Sequence, residues 1–280
     1  MSHAPLTRLG LRIATGLTLA FIYVPLGLIA LYAFNERRTQ AWPIPGLTLK
    51  WWDKALHNPG ARDALLTSLK AATGATLAAL VLGSLAAFAV QRYRFFGRET
   101  ISFLVILPIA LPGIVTGMAL NATFREVLSP FGVGLGLFTV VVGHATFCIV
   151  VVYNNVLARL RRTAHSIEEA SMDLGADTWQ TFRYVTFPSL RTALLAGALL
   201  AFALSFDEVI VTTFTAGAQQ TLPIWILTNL SRPNQLPIIN VVAVIVILLS
   251  AIPVYLAQRL THDEPTGVGG PAAAGAAGGR

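Results

Sequence analysis

Arg159-Leu-Arg-Arg-Thr-Ala-His-Ser-Ile-Glu-Glu-Ala-Ser-Met-Asp-Leu-Gly-Ala-Asp-Thr-Trp-Gln-Thr-Phe-Arg-Tyr-Val-Thr-Phe-Pro-Ser189 is a polar stretch set between two apolar runs. Local rules divide it into two short helices. Ser166 with Glu169 three residues on has the form of a capping box, in which each side chain satisfies the other's backbone N–H. Ile167, Ala170 and Leu174 recur at spacings of three and four, which places them on one helical face. Gly175 is a natural stop, because glycine reaches the left-handed conformation that closes a helix. Asp177 with Gln180 offers a second start of the same kind. Pro188 is expected to break that second helix and open the next apolar run.

On both sides of this stretch the chain is almost free of charge. Ile13 to Phe34 is 22 residues without a charge, Ala71 to Gln91 is 21, Ile101 to Phe124 is 24, Val127 to Ala158 is 32 and Pro233 to Gln258 is 26. Thr192 to Phe206 is a further run, ended by Asp207 and Glu208. About 20 helical residues cross a hydrocarbon core of about 30 Å. The runs therefore predict an all-α membrane protein with about six transmembrane helices, near 11–34, 64–91, 101–123, 135–158, 190–213 and 238–258. The whole chain agrees. Of its 280 residues 55% are hydrophobic and 12% charged, with a mean hydropathy of +0.66. A soluble domain carries about 25% charged residues, so an ordinary soluble enzyme and a disordered protein are both excluded.

The net charge of +7 lies in clusters at the ends of the apolar runs, which suits orientation in a bilayer better than nucleic acid. With the N-terminus inside, 12 Lys and Arg fall on the cytoplasmic side and 7 outside, with Lys70 inside the second span. This bias predicts cytoplasmic N- and C-termini and, with 17 Arg among the 20 basic residues, anionic lipid headgroups as neighbours. The first run is longer than a signal-peptide core and is read as an uncleaved span. Residues 1–10 form a cytoplasmic N-terminus, 11–260 a transmembrane domain with its inner loop at 159–189, and 261–280 a Gly/Ala-rich tail expected to be disordered. Gly132 and Gly136, beside Ser129 and Pro130, are read as a turn.

Several chemistries are missing. None of the three lysines, Lys50, Lys54 and Lys70, is followed by Ser or Thr, so no standard phosphate-binding loop exists. The five histidines are scattered, and His144, in an apolar span, is read as a hydrogen-bonded packing residue. Cys148 is the only cysteine, so neither an internal disulfide nor a cysteine-based metal site can form. No cofactor, metal site or catalysis by this chain alone is expected.

The 159–189 stretch resembles the inner-loop signature of binding-protein-dependent ABC transporter permeases: E-A-A, three residues, Gly, nine residues, then I-x-L-P. Here the pattern reads Glu169-Ala170-Ser171, then Gly175, then Val185-Thr186-Phe187-Pro188, with every spacing kept. Ser171, Val185 and Phe187 depart mildly from it. The resemblance implies the type I ABC importer permease fold in the bacterial inner membrane. It makes the short helix a coupling helix seated on a separate ATP-binding subunit, with Glu169, Ala170, Ser171, Gly175 and Pro188 as coupling residues. It also implies an ATPase dimer, a second permease of different sequence and an extracytoplasmic substrate-binding protein as partners. Arg159, Arg161 and Arg162 could pair with acids on the ATPase.

Leu204-Ser205-Phe206-Asp207-Glu208-Val209-Ile210-Val211-Thr212, Thr221-Leu222-Pro223-Ile224 and Leu107-Pro108-Ile109-Ala110-Leu111-Pro112-Gly113 resemble the spermidine/putrescine subfamily of these permeases. That subfamily usually carries two Asp where Asp207 and Glu208 stand. An acid inside a span costs about 2.5–3.5 kcal/mol on insertion scales, so it should face a cavity or a partner; the alternative is that 207–208 lie at the outer interface and cap the helix. Adjacent helical residues point about 100° apart. One acid, taken as Asp207, should line the substrate path, and the other should make a structural hydrogen bond. The expected cargo is a polyamine. Relatives for iron(III), thiamine or oxyanions, and a secondary transporter using the two acids as a cation relay, are the alternatives.

Overall fold

The computed structural model describes the backbone of residues 5–262 and the side chains of residues 7–250. Residues 1–4 of the expected N-terminal segment and 263–280 of the expected tail lie outside the described residues. Twelve α-helices follow in order: α1 Pro5–Tyr32, α2 Lys50–Leu56, α3 Pro59–Arg92, α4 Arg98–Ala110, α5 Gly113–Thr123, α6 Leu137–Arg162, α7 Ser166–Asp173, α8 Thr178–Thr181, α9 Phe187–Phe206, α10 Ile210–Thr215, α11 Leu222–Leu230 and α12 Leu236–His262. Five stretches are long and apolar enough to cross a membrane, and the bent pair α4–α5 makes up to six.

The centre of the bundle is α3, α6 and α9. Lipid tails are as apolar as leucine, so membrane helices associate by close packing rather than by escape from water. The buried face of α3 suits that. Ala64, Ser68, Ala72, Ala75, Ala79, Gly83 and Ala87 recur every three or four residues. At Gly83 a Cβ would stand 2.9 Å from the Ile149 carbonyl oxygen of α6, so only glycine permits this approach. Val152, Tyr153, Val156 and Leu160 of α6 fill the space beside the small residues. Tyr153 is fully buried, yet its hydroxyl is satisfied by Ser102 Oγ of α4 at 2.9 Å.

A second apolar cluster closes the end of the bundle opposite α7. Trp51 and Ala55 of α2 pack with Leu222 and Trp225 of α11 and with Ile238 and Ile239 of α12. Trp51 Nε1 donates to the Asn35 carbonyl at 2.8 Å, and the Leu222 N–H donates to Ser68 Oγ at 2.8 Å. These bonds tie down the α1–α2 connection and fasten the start of α11 to α3.

Two expected spans are not single helices. The third, placed at 101–123, breaks at Leu111 and Pro112, and the axes of its halves differ by 107°. Pro112 has no N–H to offer the helix and forces Leu111 into extended backbone, at φ −84° and ψ 144°. The fifth, placed at 190–213, ends at Phe206 and resumes only at Ile210 as α10. It also begins earlier than expected. Pro188 stands in the first turn of α9, and a widened π turn over Phe182–Thr186 precedes it. Pro188 opens α9 as expected, but it does not end the rod: the chain runs from α8 through the π turn into α9 as one apolar stretch, Thr178–Phe206. Gly132 closes a short 3-10 turn, as the Ser129-Pro130 context indicated.

Candidate functional site

Two places gather the residues singled out in the sequence. The first is α7. Its end is built as the Gly175 rule requires. Gly175 has φ +91°, its N–H donates to the Met172 carbonyl at 2.9 Å, and the Ala176 N–H donates to the Ser171 carbonyl at 3.1 Å. This is a Schellman closure, which needs a left-handed residue between the two bonds. The start differs from expectation. Ser166 lies inside the first turn, His165 is the cap residue, and no side chain caps the helix. The Asp177–Gln180 box does form, at 2.8 and 2.9 Å, and opens α8.

On α7 no residue is buried. Ile167, Ala170, Met172 and Leu174 face away from the bundle, with Leu174 90% exposed. Glu169 is exposed as well. Ser171 turns inward, its Oγ 3.2 Å from Thr181 Oγ1 on α8, so the residue that departs from the family alanine has a partner. The inward acid is Glu168, which accepts from Arg92 Nη2 at 2.8 Å and from Thr186 Oγ1 at 3.0 Å. Sequence reasoning passed over Glu168 and Arg92. The available signal was a second acid beside Glu169 and an arginine ending the second span. Arg159 Nε donates to the Ser189 carbonyl at 2.8 Å, which fastens α6 to the start of α9.

The second place is the break between α9 and α10, which carries Asp207 and Glu208. The two acids were expected on one continuous helix and are not. Asp207 is the C-terminal cap residue of α9, exposed, and its carboxylate has no partner among the described residues. Glu208 is half-buried and its Oε1 accepts from the Val211 N–H at 2.9 Å, which satisfies the first turn of α10. The broken third span meets this break. Gly117 of α5 lies so close to Phe214 of α10 that a Cβ would fall 2.6 Å from the ring, and Asn121 Nδ2 donates to the Phe214 carbonyl.

His144 of α6 pins both sides of the break and is fully buried. Its Nδ1 lies 2.8 Å from Ser205 Oγ on α9, and its Nε2 lies 2.8 Å from Thr212 Oγ1 on α10. Thr212 Oγ1 also donates to the Glu208 carbonyl at 2.7 Å. A hydroxyl has one proton, so Thr212 must accept from the ring, and Nε2 is the protonated nitrogen. In the neutral ring Nδ1 then accepts from Ser205. The packing role expected of His144 thus has a definite content: it sets the spacing of the two half-helices. His144→Phe strands the buried Ser205 hydroxyl, at a cost of about 1–3 kcal/mol. The purified complex should unfold at a Tm several degrees lower, with His144→Gln falling between. A Tm unchanged in His144→Phe would contradict the pinning.

The comparisons with known proteins agree with this geometry. Residues 79–262 match the family described as binding-protein-dependent transport system inner membrane component. The chain is 32% identical over 253 residues to the putrescine transport system permease protein PotI of Escherichia coli, covering 88% of this chain and 89% of that protein. It is 31% identical over 247 residues to the spermidine/putrescine transport system permease protein PotC of Haemophilus influenzae, covering 88% and 93%. Among solved structures, a bacterial ABC transporter involved in import of the acidic polysaccharide alginate matches 95% of this chain and 100% of its own, with a TM-score of 0.67 at 16% identity. At that identity the likeness is one of fold.

Proposed function

The chain belongs to the family of binding-protein-dependent transport system inner membrane components, and from that premise we propose that it moves a polyamine, putrescine or spermidine, as a permease subunit of an ATP-driven importer. It is a transport subunit of the bacterial inner membrane, not an enzyme, and ATP is hydrolysed on a separate chain. Its partners are an ATPase and a substrate-binding protein, together with a second permease. In the finer reading the ATPase is a dimer, the second permease differs in sequence, and α7 faces the cytoplasm.

One observation carries the substrate class: Asp207 stands unpaired at the C-terminal end of a half-helix. The terminal carbonyls of α9 carry the negative end of its dipole, so carboxylate and helix end add in the same sense. The opposite pole, the N-terminal turn of α10, is already occupied by the Glu208 carboxylate. The break therefore favours a cation and offers an anion little. A linear polycation can shed water there without leaving a bare charge in low dielectric.

The test is uptake of labelled putrescine and spermidine into proteoliposomes holding the whole transporter and its binding protein. ATP-dependent uptake of either is the expected result. Uptake driven by an ion gradient without ATP would replace the importer by a secondary carrier. ATP-dependent uptake of an oxyanion with none of a polyamine would overturn the substrate class.

A further inference from the structure

We propose that Arg92 and Glu168 are the positioning pair through which α7 moves the membrane helices. The proposal rests on α7 being the helix that meets the ATPase. Since none of its residues is buried, α7 is not held to the bundle by apolar packing. What holds it is polar. Glu168 Oε1 takes two hydrogen bonds, one from the last residue of α3 and one from Thr186, which ends the π turn leading into α9. The Ser171–Thr181 contact is the other tie.

The side chains of Arg92 and Glu168 are only 11% and 12% exposed, so the pair is largely removed from water. The second carboxylate oxygen of Glu168 lies 3.9 Å from His165 Nδ1, while Arg92 Nε is buried without a partner. A pair of this kind is weak evidence for stability, because apolar residues of similar volume often do as well or better. It is well suited to transmission. A charge-assisted bond is short and directional, and one carboxylate here joins three elements at once. A displacement of α7 must therefore drag the ends of α3 and of the α8–α9 rod. These are two of the three helices that meet through small residues at the bundle centre. Glu169, one residue on, is exposed, with its Oε1 3.8 Å from His165 Nδ1.

The experiment measures substrate taken up per ATP hydrolysed in the reconstituted complex. Glu168→Gln and Arg92→Gln should lower that ratio by about five-fold or more in the complexes that assemble, given the strength of charge-assisted bonds, with a reduced yield because each leaves the other side chain unpaired and largely buried. The exchanged pair Arg92→Glu with Glu168→Arg should recover much of the loss. A structural role alone would lower the yield and leave the ratio of surviving complexes unchanged, which would overturn the proposal. Should Glu168→Gln give no complex, Thr186→Val removes only the second bond, and an unchanged ratio in it overturns the proposal equally. The underlying reading fails separately: Leu174→Cys should cross-link to the ATPase in an otherwise unaltered chain, and no cross-link would remove α7 from that interface.

Discussion

Gly175→Val should abolish most coupled transport while the complex still assembles. The space around Gly175 is open, with no heavy atom within 4 Å of where a Cβ would stand, so the effect is not a clash. It is conformational. At φ +91° an L-residue loses about 1–2 kcal/mol, and a β-branched one loses more. Valine relieves that strain by returning to negative φ, which unmakes the bonds from Gly175 N–H to Met172 and from Ala176 N–H to Ser171. The last turn of α7 then opens and takes Leu174 and Ser171 out of register. Uptake and substrate-stimulated ATP hydrolysis should fall together by about ten-fold, at 1.4 kcal/mol per factor of ten. Gly175→Asn, which tolerates the left-handed region, should keep most of both. Full uptake in Gly175→Val would remove α7 from the coupling path.

The spans were legible because the bilayer enforces a length and forbids charge over that length, and both are countable along a chain. Their breaks were not. Pro112 lies inside a charge-free run, and a count of residues does not register a missing N–H; the second break falls at Asp207, where a charge-free run ends but the span was carried on to 213. The Leu107-Pro108 to Pro112-Gly113 stretch that resembles the subfamily also carries the kink signal, since Pro112 sits at the break. Capping was half legible. The Asp177–Gln180 box formed, whereas the Ser166–Glu169 box did not, because the cap position falls one residue earlier, on His165, and Ser166 is already inside the first turn. The partners of Glu168 and His144 were beyond reach for a shared reason. Each earns its role from partners 76 and 61 residues away, Arg92 and Ser205, and only the packed bundle brings them together.

That distinction between adjacent residues bears most on the acids at the α9–α10 break. Asp207→Asn should reduce polyamine uptake sharply and leave assembly and basal ATP hydrolysis intact, because its carboxylate supports nothing else in the fold. The size of the loss depends on the wetness of the path. A charge pair at 4 Å is worth about 1 kcal/mol in water and about 4 kcal/mol at an effective dielectric of 20. Uptake should therefore fall by at least about five-fold, and far more if the path is dry. Glu208 should behave differently. Glu208→Gln keeps an oxygen that can accept the Val211 N–H, so yield and uptake should stay close to the original. Glu208→Ala removes that acceptor and should cost about 0.5–2 kcal/mol, as a lost helix cap does, seen as a lower yield of folded complex. If instead Asp207→Asn transports spermidine and putrescine normally, the break is not an acidic step, and selection for the polycation must lie with the binding protein or with the second permease.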